Sequence, residues 1–207
     1  PVTVKHRIGV VDRVPRDGRY SYDYQRLRDF VGTVHEAGVE RFTVHARIAV
    51  LSGLSPRQNR RVPPLDYAQV ARLKREFPHL CIEVNGGITE REQIDEQLEH
   101  VDGVMIGRAA YDNPWLLNDA DARYYGDSCR RPTRRNVIHT MAEYINKWET
   151  RDRPPRDVVR HMMGLFAGCP GARMYRQLLS GRRAGRPGGA ELLLHATKHI
   201  PDEVMDG

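Results

Sequence analysis

Two glycine turns, each closing a short apolar run, constrain this 207-residue chain more than any other feature. Asn85-Gly86-Gly87-Ile88 follows Leu80-Cys81-Ile82-Glu83-Val84, and Gly107-Arg108 follows Val104-Met105-Ile106. Short apolar runs rich in β-branched residues read as buried strands. A glycine turn that ends a strand and opens a helix frees backbone N–H groups to close on an anion such as a phosphate. Two such turns on consecutive strands make one shared cradle. In a (β/α)8 barrel that cradle lies after the last two strands.

The rest of the pattern agrees with that placement. Val2 to Ile8 alternates as a strand, a polar loop follows from Val11 to Tyr20, and Ser21 to Ala37 reads as a helix. Leu27, Phe30, Val31 and Val34 form its apolar stripe, and Gly38 ends it. Arg41 to His45 is a second strand, and a long loop spans Ile48 to Pro64. Leu65 to Phe77 is helical, stopped by Pro78, and Leu80 to Val84 is a third strand. Thr89, with Glu92 at the capping-box position, caps a helix to about Glu99. Gly103 to Ile106 is the fourth strand, followed by a short helix or turn through Asn113-Pro114.

Four strand–helix units imply a parallel sheet. They make half of an eight-stranded barrel and cannot close one alone. A doubly wound sheet is the alternative, but it places the two turns less naturally. Beyond Arg130 the pattern is helical. Thr133 caps a helix carrying Val137, Ile138, Met141, Ile145 and Trp148. Pro154-Pro155 starts a second helix through Phe166, Ala172 to Ser180 is a third and Ala190 to Ile200 a fourth. A sharp turn at Gly168-Cys169-Pro170-Gly171 and a basic, glycine-rich loop from Gly181 to Gly189 separate them. The expected fold class is α/β. Residues 1–129 form the C-terminal half of a (β/α)8 TIM barrel, and residues 130–207 a small all-helical domain.

Composition narrows the partners. The mean hydropathy of −0.62 comes with no apolar run long enough to span a membrane, and no signal peptide is expected. The chain opens Pro1-Val2-Thr3-Val4, already in a strand pattern, which suggests an interior segment of a longer protein. Cys81, Cys129 and Cys169 are widely spaced and share no metal-ligand spacing with the histidines, so a reducing, cytoplasmic setting is expected. Residues 1–129 carry 18 Lys+Arg against 19 Asp+Glu, whereas residues 130–207 carry 15 against 8. An arginine-rich composition would raise Arg everywhere without removing acids from one segment. The excess therefore points to a nucleic acid.

Lys5 and His45 sit near the C-terminal ends of the first two strands, the end at which barrel active sites form. Each has a bland reading, a solvent-facing lysine and a satisfied interior histidine. A lysine in a barrel mouth requires an anion or an acceptor. With a phosphate cradle on the later strands, the ligand becomes a flat heterocycle on a phosphorylated tail, which flavin mononucleotide (FMN) fits best.

The ordered set of Pro1 to Arg7, Thr43 to Arg47, Leu51 to Arg60, Asn85-Gly86-Gly87 and Gly103 to Arg108 resembles the tRNA-dihydrouridine synthases. Leu51-Ser52-Gly53-Leu54-Ser55-Pro56 and Pro170-Gly171-Ala172-Arg173 are similar to the A subfamily in particular. The resemblance implies an FMN-dependent enzyme, reduced by NADPH, that converts D-loop uridines near position 20 of tRNA to dihydrouridine. It implies that Lys5 and His45 contact the flavin ring, and that Asn85, Gly86, Gly87, Gly107 and Arg108 hold its ribityl phosphate. Arg57 and Arg60 match the family's tRNA-contacting loop, and Arg173 and Arg176 its helical tRNA signature. Arg182, Arg183 and Arg186 would add non-specific affinity. The family's proton-donating cysteine falls before residue 1, so a fragment inactive by itself is expected. The alternatives are a non-catalytic tRNA-binding remnant and an FMN barrel oxidoreductase acting on a small molecule.

Overall fold

The computed structural model describes residues 1–127, 131–181 and 188–207. It divides into two compact units, Pro1–Gly107 and Arg108–Gly207.

The first unit is an α/β layer. Strands β1 (Val4–Arg7), β3 (Arg41–His45), β5 (Cys81–Asn85) and β6 (Gly103–Met105) form one parallel sheet in the order β1-β3-β5-β6. Parallel neighbours require crossovers, and helices α1 (Tyr24–Glu36), α2 (Tyr67–Glu76) and α3 (Arg91–Leu98) supply them. Asp23 starts α1 by accepting from Gln25 N at 2.9 Å, and Asp66 starts α2 by accepting from Gln69 N at 3.2 Å. The start of α3 differs from expectation by one residue. Gln93 Oε1 accepts from the amides of both Thr89 and Glu90, so the capping box is Glu90–Gln93 rather than Thr89–Glu92.

The period of two sorts the sheet into faces. Phe42, Val44, Ile82 and Val84 are fully buried on one face, with α2 packed against β5 and α3 against β6. Each such side chain contributes about 1.5–3 kcal/mol on burial. On the other face the register sets two rows. Lys5, Thr43, Glu83 and Gly103 form the first, and Arg7, His45, Asn85 and Met105 form the second at the C-terminal tips.

Two segments expected to be loops contain a second small sheet. β2 (Val10–Arg13) and β4 (Ala49–Ser52) pair in parallel just beyond the tips of β1 and β3. Four-residue strands with polar ends leave too short an alternation to be distinguished from loop. Phe30, placed on the core stripe of α1, is instead 43% exposed, while Leu27 and Val31 are buried.

The second unit begins with α4 (Arg108–Asp112), a 3-10 turn over Pro114–Leu117 and α5 (Ala120–Tyr125). The division thus falls at Gly107/Arg108, earlier than the 129/130 boundary drawn from charge and periodicity. Helices α6 (Arg134–Glu149), α8 (Ala172–Ser180) and α9 (Gly189–Ala196) enclose its core, with short α7 (Arg156–Val159) and α10 (Asp202–Asp206) alongside. Ile138, Ile145, Val159, Phe166, Leu193 and Ala196 meet there. Tyr175 is also fully buried, its ring edge-on to Phe166 at 4.7 Å and its hydroxyl donating to Met162 O at 3.1 Å. The helix expected through Phe166 stops at Val159. Gly164 comes so close to Asp112 that a Cβ would stand 2.6 Å from its carbonyl oxygen.

Candidate active site

The strand tips of the first unit carry a polar network centred on Asn85. Its Oδ1 lies 3.1 Å from Lys5 Nζ and 2.8 Å from His45 Nδ1, while its Nδ2 donates to Met105 O at 2.7 Å. These contacts fix the amide orientation. An oxygen that can only accept forces the His45 proton onto Nδ1. Burial, reinforced by Arg7, Lys5 and Arg47, holds His45 below the ordinary imidazole value, although the Asn85 bond opposes the shift. The ring is therefore neutral near pH 7, with Nε2 a bare acceptor. That atom is buried and has no hydrogen-bond partner among the described residues. Lys5 keeps two N–H donors beyond its bond to Asn85. Its pKa is lowered by partial burial first and by Arg7 second.

The glycine turn presses on this network. Gly86 and Gly87 have φ of +119° and +76°, the region only glycine enters readily. A Cβ on Gly86 would stand 2.9 Å from His45 Cε1, and one on Gly87 would stand 2.4 Å from Leu65 Cδ1. Tyr67 Oη donates to Gly86 O at 2.6 Å and fixes the turn from α2. The amides of Gly86, Gly87 and Gly107 donate to no acceptor among the described residues. Because β5 and β6 are paired in parallel, these two turns leave the sheet at neighbouring tips. Gly107 closes the first unit, and Arg108 opens α4 in the second.

Arg7 was missed as a site residue. It lies two positions beyond Lys5, on the same face, in register with His45. Its Nη1 donates to Ile48 O at 2.6 Å and to Asn59 O at 3.0 Å. Burial lowers its pKa first, then the charges of Arg47 and Arg60. The available signal was the alternation Lys5-His6-Arg7, which places both cations on one side of a strand. Around the tips the cations outnumber the acids. Glu83, one row back, is bonded to Thr43 Oγ1 at 2.6 Å and lies 3.7 Å from Arg41 Nε.

Arg57 and Arg60 stand on a built loop. Ser55 and Gln58 cap each other, and Asn59 ties the loop to β4 through Val50 N at 3.0 Å. Both arginines are exposed. In the second unit, Arg173 and Arg176 lie on the exposed face of α8, whose other face buries Ala172, Tyr175 and Leu179. Tyr175, between them in sequence, is a core residue. Neither arginine donates to an acceptor among the described residues.

Other arginines of the basic third are structural. Arg134 is buried, donates to Leu165 O and Val204 O at 3.1 Å each, and lies 4.0 Å over the Trp115 ring. Arg135 bonds Asp206 at 2.7 and 2.9 Å and Asp202 at 2.6 Å. Arg182, Arg183, Arg186 and Cys129 lie outside the described residues. Cys81 starts β5, at the opposite end from Asn85, and Cys169 Sγ lies 3.8 Å from Ala167 O.

Residues 1–200 match the dihydrouridine synthase (Dus) family. The chain belongs to that family. It is 51% identical over 180 residues to the tRNA-dihydrouridine(20/20a) synthase of Pseudomonas syringae pv. tomato, covering 87% of this chain and 51% of the relative. Its identity to the protein of the same name from Vibrio cholerae is 46% over 207 residues, 99% of this chain and 61% of the relative. For the Synechocystis protein of that name the figures are 46% over 193 residues, 93% and 55%. The chain thus spans about half to three-fifths of the length of these relatives. Within this Dus chain, the motifs that carried the resemblance lie at the tips of β1, β3, β5 and β6, in the anchored 51–60 loop and at the start of α8. No helix among the described residues is long and apolar enough to cross a membrane.

Proposed function

We propose that this Dus chain supplies the FMN-binding side and tRNA-gripping surface of an enzyme that reduces uridine to dihydrouridine. The substrate is tRNA, at D-loop uridines near position 20, in keeping with the 20/20a positions for which its relatives are named. NADPH is the reductant of the flavin, and the setting is cytoplasmic. The observation that carries the reading is the convergence of Lys5 and His45 on Asn85, beside turn amides without acceptors.

The donor set suits FMN at both ends. The flavin pyrimidine edge presents carbonyl acceptors beside an N–H donor. Lys5 offers two N–H donors, and His45 Nε2 offers an acceptor. The amides of Gly86, Gly87 and Gly107, with Arg108, would hold the phosphate, whereas the Asn85 side chain, which the resemblance groups with the phosphate contacts, is engaged by Lys5 and His45 and would act at the ring end. Bound there, FMN supplies the hydride that reduces the uridine C5–C6 double bond. The chain's own residues orient the ring, exclude water from His45 and keep the imidazole proton on Nδ1.

The half-barrel reading is supported by the edges of the sheet. β1 and β6 each pair on one side only among the described residues. Exposed parallel edges are rare unless another element covers them. A cleft of about 580 Å3 lies along β1 and α1, lined by His6, Ile8, Val10, Tyr22, Leu27 and Phe30. Its lining is mainly apolar, with Arg7, Asp23 and Arg26 among the rest, and suits an amphipathic helix of a (β/α)8 ring. A stacked D-loop uridine must swing out to reach such a site. Arg57 and Arg60 at the mouth and Arg173 and Arg176 on α8 would hold the tRNA backbone while it does.

Incubation of a longer protein, in which this chain is joined to the rest of the barrel, with an unmodified tRNA transcript, FMN and NADPH tests the reading. The expected result is a mass gain of two hydrogens on a D-loop uridine near position 20. FMN-loaded protein that binds tRNA yet leaves every uridine unreduced would contradict it.

A further inference from the structure

The second unit carries a cleft of about 200 Å3, bordered by Tyr111, Asp112, Arg160, His161, Met163 and Arg176. It shares only Arg176 with the tRNA contacts proposed above. Its geometry is enforced by backbone. A Cβ on Gly164 would stand 2.6 Å from Asp112 O and 2.8 Å from Tyr111 O, so only glycine permits this approach. The approach brings His161 Nδ1 to 3.0 Å from Tyr111 Oη, with the rings edge-on at 5.8 Å. Tyr111 is thereby held in place, yet 58% of it remains open to solvent. A large aromatic fixed by a bond to a residue 50 positions away and still exposed is unusual for a ring whose only role is packing.

The charges beside it are uneven. Arg160 is steadied by Asp157 at 2.9 Å, and Arg176 donates to no acceptor among the described residues. Asp112 lines the same cleft, so two guanidinium groups face one carboxylate. Small-molecule sites enclose roughly 300–1,000 Å3. A cleft of this size takes one part of a larger ligand. An aromatic face flanked by arginines suits a nucleotide, whose base stacks while its phosphate meets the guanidinium groups.

We infer that this cleft is a nucleotide subsite for tRNA, with a base stacked on Tyr111 and its flanking phosphate between Arg160 and Arg176. The subsite rests on the tRNA reading above. It reads no sequence, because every base has a π-face. Its role is to fix the tRNA body.

Binding of an unmodified tRNA transcript, measured by anisotropy at several salt concentrations, tests it. Tyr111→Ala is expected to weaken binding roughly tenfold with little change in salt slope. Tyr111→Phe keeps the ring and is expected to stay within about threefold of the unaltered protein. Arg160→Ala is expected to weaken binding and lower the salt slope by about one. Thermal melting of each variant checks folding, and Tyr111→Leu, which keeps apolar bulk without a ring, stands in if the alanine variant is unstable. Tyr111→Ala or Tyr111→Leu binding as well as the unaltered protein, while Arg173→Ala binds more weakly, overturns the subsite and leaves the tRNA reading intact. Tyr111→Phe as weak as Tyr111→Ala overturns stacking in favour of the hydroxyl. Unaltered protein that binds no tRNA overturns both.

Discussion

The strand tips of the first unit and the exposed face of α8 in the second are both basic, but they hold their charge differently. At the tips, Lys5 and His45 converge on one acceptor, are partly desolvated and leave defined donors and acceptors unused. On α8, Arg173 and Arg176 extend into solvent without partners among the described residues. The first arrangement is preorganised for one rigid ligand at short range. The second is adaptable, and its attraction is screened within about 8–10 Å at ordinary salt. Substitutions in the two regions should therefore separate flavin binding from tRNA binding.

The largest expected effect comes from Gly87→Ala, which forces a positive φ on an L-residue and sets its Cβ against Leu65. A loss of about 2–4 kcal/mol in urea unfolding is expected. An unchanged midpoint would show that the turn is not the fixed point on which the tips depend. Next, Asn85→Ala removes the shared acceptor, and FMN affinity should fall more than tenfold, about 1.5–3 kcal/mol. Transfer RNA affinity should hold, and an equal loss of both would erase the contrast between the regions. Third, Arg173→Ala with Arg176→Ala should weaken tRNA binding severalfold and lower the salt slope by about two, with FMN affinity unchanged.

Acidification should act on the first unit. Burial holds both His6 and His45 below the ordinary imidazole value, so both are neutral when folded. The unfolded chain then takes up protons first, near its unperturbed value of about 6.5. Stability is held above that pH and falls as pH drops from it towards the folded values. Urea midpoints at neutral and mildly acidic pH should show that decline, and His6→Asn with His45→Asn should flatten it. The smallest effect is expected from Arg135→Ala. This arginine's bonds to Asp202 and Asp206 are intramolecular, so tRNA affinity should stay within about twofold of the unaltered protein.

Much of this was legible in the residues. The strand Arg41–His45, the helix Ala172–Ser180 and the Thr133 cap were placed from periodicity and capping alone. His45 and Asn85 were placed at strand ends and lie there, whereas Lys5, expected near the end of its strand, lies one row behind the tip and reaches Asn85 with its Nζ. Arg7 escaped notice because nothing in a four-residue strand says which of its cations lies level with the histidine of the neighbouring strand. The β2–β4 pair escaped because its strands are too short for alternation to register. Charge was the weakest guide. It counted Arg134 and Arg135 with the exposed arginines of α8, although one is buried over Trp115 and the other is bound to two aspartates. A sum of charges cannot separate a guanidinium that holds the fold from one that faces a ligand.

The strand-tip site has two ends, and one titration addresses both. FMN and riboflavin, which differ only in the phosphate, are titrated into the protein and into Asn85→Ala while flavin fluorescence is followed. FMN is expected to bind at least about tenfold more tightly than riboflavin, through charge-assisted bonds to the turn amides. Asn85→Ala is expected to weaken both ligands by a similar factor, because it disturbs the ring end alone. Equal binding of FMN and riboflavin, or an Asn85→Ala protein that binds both as tightly as before, would contradict such a two-ended site.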